Sequence, residues 1–337
     1  MTIRRVGSAI IAAAGLSLIP QASHADMGKA PGGPGIILSF EGGYLYQDGS
    51  DIVGHGTSPV INTPPGSPFS NVLVSPQDGY FVGGHIGYEN GTPFLFGFHR
   101  AELSFLYGET DDSATSESPP FIDIILKTVD GTVLGTGGAV GVTTTERQTW
   151  EGALRFEDDD VVNATTTVTW VFAPFIRNFE EDTRSVISTV VPCCDFTRTA
   201  SVDTTLYGIY VAAEPETWLT SNLALVGRLG AGVYGYDADG SFRSFGTAST
   251  TGDFNASISD GDSGAGFRGL LGVGLKFKVT SATLLEGFAE ADYFSSVPTA
   301  DLSTNDPSEG YESRTDDEDL WEFRTGVRLT VGLGGAN

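Results

Sequence analysis

Residues 266 to 280 read Gly-Phe-Arg-Gly-Leu-Leu-Gly-Val-Gly-Leu-Lys-Phe-Lys-Val-Thr, and their pattern indicates the fold class. Successive side chains of an extended chain point to opposite faces. One face then carries only aliphatic, aromatic and glycine residues: Phe267, Gly269, Leu271, Val273, Leu275, Phe277 and Val279. The opposite face carries Arg268, Lys276 and Lys278. This alternation predicts a strand that lies between lipid and water.

Ten segments of the chain can be assigned as strands of this kind, although 164–178 is apolar on both faces. Most exceed the roughly 9 to 11 residues that a tilted strand needs to cross the hydrocarbon layer. The segments are 35–46, 79–89, 94–108, 147–157, 164–178, 204–213, 222–236, 266–279, 283–294 and 320–332.

The connections between these segments alternate in length. The short ones are 90–93, 158–163, 214–221 and 280–282, and the long ones are rich in Pro, Gly, Ser, Thr and acids. Barrels that enter the outer membrane from the periplasm have short periplasmic turns and long extracellular loops. The pattern predicts an all-β chain: a closed antiparallel transmembrane β-barrel of about ten strands over residues 35–333. A soluble β-barrel is the alternative, but it gives no reason for strict alternation of loop length.

The segment 121–134 is predicted to form a hairpin within the long loop after the third strand, with a turn at 129–132. Its alternative is a pair of further membrane strands, which would make twelve. Asp123, Lys127 and Asp130 interrupt its apolar face, so ten strands are favoured.

The first 25 residues have a basic start at Arg4 and Arg5, an apolar run from Ala9 to Ile19 and a small-residue ending before Asp26. These features predict a secretory signal peptide over 1–25, followed by a periplasmic segment over 26–34. The apolar run is too short for a transmembrane helix. The expected location is the bacterial outer membrane.

The composition excludes several classes of function. The net charge of -25 makes nucleic-acid binding unfavourable. The chain has only two cysteines, the adjacent Cys193 and Cys194, and neighbouring cysteines cannot cross-link a fold. No metal-site spacing of Cys and His occurs, so neither a cofactor nor a metal is expected.

Ionisable residues within the strands are predicted to face the barrel interior, the lumen, because an Arg or Lys on the lipid face costs about 2 to 4 kcal/mol. The predicted lumen residues are Glu41, His85, Arg100, Glu102, Glu151, Arg155, Arg228, Arg268, Lys276, Glu286, Glu290, Asp292, Glu322, Arg324 and Arg328. Two roles stay open for this set: charge pairing that fills a narrow barrel, or the lining of a narrow pore. The expected partners are outer-membrane lipid and lipopolysaccharide, with small ions or solutes if the lumen conducts.

An enzyme is the competing class, because some barrels carry surface protease or lipid hydrolase sites. After the signal peptide only His55, His85 and His99 remain, and His85 and His99 are placed within strands at membrane depth. No Gly-x-Ser-x-Gly nucleophile motif stands out. The chain is therefore not expected to be an enzyme. The sequence favours a porin-like or structural envelope barrel, with a non-conducting adhesin with acidic loops as the alternative.

Parts of three strands carry a family resemblance. Tyr207-Gly208-Ile209-Tyr210 precedes Leu223-Ala224-Leu225-Val226-Gly227-Arg228-Leu229-Gly230-Ala231-Gly232, and the closing strand contains Glu322-Phe323-Arg324-Thr325-Gly326-Val327-Arg328-Leu329. With these runs the chain resembles the small outer-membrane β-barrel proteins of Gram-negative bacteria. It is also similar to the Legionella-type major outer membrane protein family, and that resemblance implies a pore-forming activity.

Overall fold

A computed structural model describes most of the chain, and the structural statements that follow concern these residues. They are 35–48, 77–90, 92–93, 97–117, 124–127, 133–137, 139–189, 194–248, 252–301 and 314–334. The predicted signal peptide and periplasmic segment lie outside them, as do the predicted turn at 129–132 and most of the first long loop.

All the regular elements in the described residues are β-strands. They are β1 (Gly35–Gln47), β2 (Gln77–Glu89), β3 (Arg100–Glu117), β4 (Ile124–Lys127), β5 (Val133–Gly137), β6 (Ala139–Val161), β7 (Thr166–Thr189), β8 (Cys194–Trp218), β9 (Leu223–Ala248), β10 (Gly252–Thr280), β11 (Thr283–Asp301) and β12 (Arg314–Gly334). No helix in this part of the chain is long and apolar enough to cross a membrane.

Ten of the strands form one closed barrel in the order β1-β12-β11-β10-β9-β8-β7-β6-β3-β2. Every pair of neighbours is antiparallel, and β1 pairs with β12 from Gly35↔Gly334 to Gln47↔Glu322, which closes the ring. The short strands β4 and β5 pair only with each other. The predicted fold class is thus confirmed: ten strands form the barrel and the hairpin stands outside it.

The strands extend further than predicted at the end of the barrel that carries the long loops, here called the outer end. β10 begins at Gly252 where 266 was expected, and β9 continues to Ala248 where 236 was expected. In these extensions the outward face carries mainly Ser, Thr, Asp, Asn and Arg, with Phe245 as an exception. The apolar alternation that marks a strand in lipid therefore fades. β3 differs at the opposite end, because it begins at Arg100 and not at 94.

The outward face of the barrel carries a continuous apolar belt. Phe40, Leu229 and Leu271 are 63%, 64% and 61% exposed, and similar side chains project from all ten barrel strands. On β10 the belt runs from Phe267 to Val279. A tilted strand of that length rises about 30 Å along the barrel axis, which matches a hydrocarbon layer.

Aromatic side chains on seven of the ten barrel strands bound this belt toward the outer end. This aromatic girdle consists of Tyr46, Tyr80, Tyr107, Trp150, Tyr207, Tyr293 and Trp321. The next outward position on each of these strands is polar, for example Asp78 after Tyr80 and Glu109 after Tyr107. Aromatic residues prefer the boundary between lipid and water, so the girdle marks the outer boundary of the membrane-facing surface.

Candidate functional site: the barrel lumen

The structure brings the ionisable strand residues together inside the barrel. All the residues predicted to line the lumen occupy inward-facing positions: Glu41, His85, Arg100, Glu102, Glu151, Arg155, Arg228, Arg268, Lys276, Glu286, Glu290, Asp292, Glu322, Arg324 and Arg328. His85 is hydrogen-bonded to Glu102, and each of the others makes an ion pair with another inward-facing residue. Opposite charges therefore neutralise one another within the lumen.

One ion pair crosses the full width of the barrel. Arg177 projects from β7 and Glu322 from β12, and these strands lie on opposite sides of the ring. The Nη2 atom of Arg177 donates a hydrogen bond to the Oε2 atom of Glu322. Both side chains are 0% exposed. Side chains from opposite walls thus meet in the middle of the barrel and exclude water there.

Arg268 belongs to the same layer of charged side chains as the Arg177–Glu322 pair and comes from β10. Its Nη2 atom lies 3.1 Å from Oδ2 of Asp292 and 3.2 Å from Oε2 of Glu151. Glu151 also lies 3.2 Å from Nη1 of Arg177. One carboxylate therefore joins two arginines from different walls, and Arg324 shares Asp292 at 2.9 Å.

A second layer lies closer to the end with the short turns, the inner end. Arg228 contacts Glu286 at 2.5 Å and Glu290 at 2.8 Å. Arg328 contacts Glu41 at 2.6 Å and Glu286 at 3.6 Å. Since Glu290 also lies 3.2 Å from Arg324, this layer is continuous with the one above it.

A third group of charges occupies the inner end. Arg155 contacts Glu157 at 2.9 Å and Glu214 at 2.8 Å. His85 is buried beside Glu102, with 2.9 Å between Nδ1 and the carboxylate oxygen. Lys276 pairs with Glu216. These contacts place charge pairs at successive heights along the lumen.

Aromatic and aliphatic side chains fill the space between the charges. Phe179 and Phe294, from β7 and β11, approach with ring centres 5.8 Å apart, and Tyr234 packs on Phe294 at 6.0 Å. The Arg177 guanidinium lies 4.6 Å from the ring centre of Phe179, and that of Arg268 lies 4.8 Å from Phe175. Cations over aromatic faces are favourable contacts. The inward apolar face of β7, which made this segment ambiguous in sequence, is therefore part of a lumen core.

Several lumen charges were not among the predicted residues: Arg147, Glu157, Arg177, Glu181, Glu214 and Glu216. Arg177 follows the outward Ile176, so strict alternation would have assigned it inward. Glu214 and Glu216 were assigned to the short connection 214–221. β8 instead continues to Trp218, and its pairing with β9 skips residues 214 and 215.

Among the described residues, no histidine lies at the outer end of the barrel, where a surface protease or hydrolase site would be expected. His99 was expected within a strand, but it lies before β3 at the inner end, 2.5 Å from Asp158, because β3 begins later than predicted. His85 is deep in the lumen, while His55, Cys193 and the side chain of Cys194 lie outside the described part. The described residues also hold no group of three or more His, Cys, Asp or Glu that could bind a metal ion.

The chain was compared with known protein families, curated proteins and solved structures. No family model matches the chain. No curated protein matches it either. Among solved structures, the outer membrane protease OmpT from Escherichia coli aligns with a TM-score of 0.43 and 9% identity over 92% of this chain and 100% of that one. A Pseudomonas aeruginosa FadL homologue gives 0.26 and 9% over 90% and 92%. Ail, the attachment invasion locus protein of Yersinia pestis, gives 0.21 and 11% over 88% and 99%.

Proposed function

We propose that this protein is a non-conducting barrel of the bacterial outer membrane that holds a tall polar wall above the cell surface. The apolar belt and the aromatic girdle support the membrane location. The main evidence that the lumen is sealed is the Arg177–Glu322 ion pair, which joins opposite walls of the barrel with both side chains 0% exposed. To conduct ions, a ten-stranded barrel would need water along the charged side chains of its lumen, as wider barrels have.

The conducting alternative has less support from the packing. A narrow pore needs charges that face water, whereas the charges at mid-height neutralise one another among aromatic rings. We therefore favour a structural or adhesive role over the porin-like activity that the family resemblance implies. β9 continues about 13 residues beyond the girdle level, from Gly235 to Ala248, which raises the wall roughly 30 Å above the membrane boundary. Such a wall suits contact with molecules outside the cell.

Planar-bilayer recording tests the proposal. We expect the refolded full chain to insert without measurable current. We expect the variant Arg177→Ala, Phe179→Ala, Phe294→Ala to conduct, because it removes the side chains that meet at mid-height. Stable single-channel current from the unaltered protein, with heat-modifiable migration on gels showing that the barrel is folded, would overturn the sealed-lumen assignment.

A further inference from the structure

The outward surface above the girdle carries an unusual distribution of basic residues. Arg184 on β7 and Arg243 on β9 point outward and are exposed. Every other Arg or Lys whose side chain the structure describes occupies an inward position. Inward placement is the rule in the membrane, where outward cations are costly, but it does not explain why the two exceptions share one part of the wall.

The two arginines lie in the same cross-strand row. Arg184 is paired with Thr199, and Thr199 is paired with Arg243. At the spacing of neighbouring strands, their Cα atoms are about 10 Å apart. The whole row, here called the arginine row, is Ser113, Thr144, Arg184, Thr199, Arg243 and Ser257. It contains cations and hydroxyls but no carboxylate.

A groove of about 720 Å³ runs below the arginine row. Its other edge is the next outward row toward the membrane, here called the acidic row: Asp111, Glu146, Asp182, Ser201 and Ser241. The residues between the two rows, such as Thr145, Thr183 and Phe242, are buried and point inward. The groove therefore lies on the outer wall, and its volume is in the range of small-molecule sites.

The two edges of the groove suit a phosphorylated sugar. Guanidinium groups bind phosphate through charge-assisted hydrogen bonds, often two per arginine. Arg184 makes no ion pair with any residue whose side chain is described, and Arg243 donates to Asn255 at 2.9 Å, a neutral partner. Carboxylates and hydroxyls along the acidic row can accept hydrogen bonds from sugar hydroxyls.

The height of the groove indicates where such a ligand comes from. The arginine row lies six to eight residues beyond the girdle level, from Tyr107 to Ser113 on β3 and from Tyr207 to Thr199 on β8. That separation is about 15 to 20 Å along the barrel axis. Phospholipid headgroups reach only about 5 to 8 Å beyond the hydrocarbon. A lipid whose sugar chain projects further reaches the groove.

We propose that the arginine row and the acidic row together bind the phosphorylated sugar chain of an outer-leaflet glycolipid, that is, lipopolysaccharide. Arg184 and Arg243 hold phosphate groups, and the groove below them holds the sugar. This inference rests on the proposed outer-membrane location, but it does not depend on whether the lumen conducts.

The test measures binding of lipopolysaccharide with a phosphorylated core to the folded full chain in detergent micelles, by native mass spectrometry. Arg184→Gln with Arg243→Gln should bind about tenfold more weakly, the sum expected for two exposed ion pairs. The unaltered protein should lose a similar factor when the lipopolysaccharide has been stripped of its phosphates. Phosphatidylglycerol, an anionic phospholipid, should not compete.

A charge-matched variant separates the site from general electrostatics. Adding Glu180→Gln and Asp239→Asn to the double variant restores the original net charge, and both positions are outward but outside the groove edges. We expect this variant to bind as weakly as the double variant. Recovery of binding, unchanged binding of the double variant, equal binding of dephosphorylated lipopolysaccharide, or no binding by the unaltered protein would each overturn the assignment. Ionic current in the planar-bilayer recording would refute the sealed lumen but not this binding site.

Discussion

The Arg177–Glu322 pair gives the sharpest energetic prediction. Arg177→Met removes the cation but keeps much of the side-chain volume, so Glu322 loses its partner across the barrel. Breaking a buried ion pair by removing one member costs about 3 to 5 kcal/mol. Glu322 keeps Gln47 at 3.0 Å and Arg324 at 3.4 Å. We therefore expect a loss near the lower limit, about 3 kcal/mol in the free energy of unfolding.

The measurement is equilibrium urea unfolding in lipid vesicles, followed by tryptophan fluorescence. Arg177→Met with Glu322→Gln should recover part of the loss, because the second change removes the uncompensated charge. A coupling energy of at least about 1.5 kcal/mol is expected for residues in direct contact. A single-variant loss below about 1 kcal/mol, or strictly additive losses, would show that the pair does not join the two walls.

Two further predictions concern the belt and the strand packing. Val273→Arg, at the middle of the lipid-facing belt on β10, should lower the free energy of unfolding by about 2 to 4 kcal/mol. Ser259→Arg, outward on the same strand above the membrane, should change it little, and equal effects in the same vesicle assay would contradict the membrane position. Gly326→Ala should destabilise by about 1 to 3 kcal/mol, because the added Cβ would lie 2.5 Å from the backbone oxygen of Gly42 and 2.9 Å from Cζ of Phe81. Gly287→Ala, with no atom within 4 Å of its added Cβ, is the matched control and should be neutral or slightly stabilising; a loss as large as that of Gly326→Ala would refute the packing argument.

The faces of the strands could be predicted from the sequence because lipid imposes a strict alternation. Leu271 and Arg268 could be assigned to opposite faces without knowledge of any other strand. The same rule fails above the membrane, where water surrounds the outward face. There Ser and Asp are compatible with both a strand and a loop, so the outer extensions of β9 and β10 were assigned to loops.

The partners of the lumen residues could not be predicted in the same way. That Arg177 meets Glu322 depends on β7 and β12 lying opposite each other, which follows only from the closed ring and its strand number. Arg184 and Arg243 show the same limitation, because their shared row depends on the register of β7, β8 and β9. Alternation gives the face of a residue, while register and closure decide its neighbours.

The pairing of β1 with β12 also affects how the chain reaches its native state. Gln47 and Glu322 are hydrogen-bonded neighbours although 275 residues separate them in sequence. Forming such non-local contacts is slow, since the chain must lose much conformational entropy before they stabilise it. Until β12 joins β1, both strands present unpaired backbone edges, which promote aggregation. Newly made chains therefore need protection from aggregation until β1 pairs with β12. Mutations in these two strands should lower the yield of folded protein before they change the structure of the finished barrel.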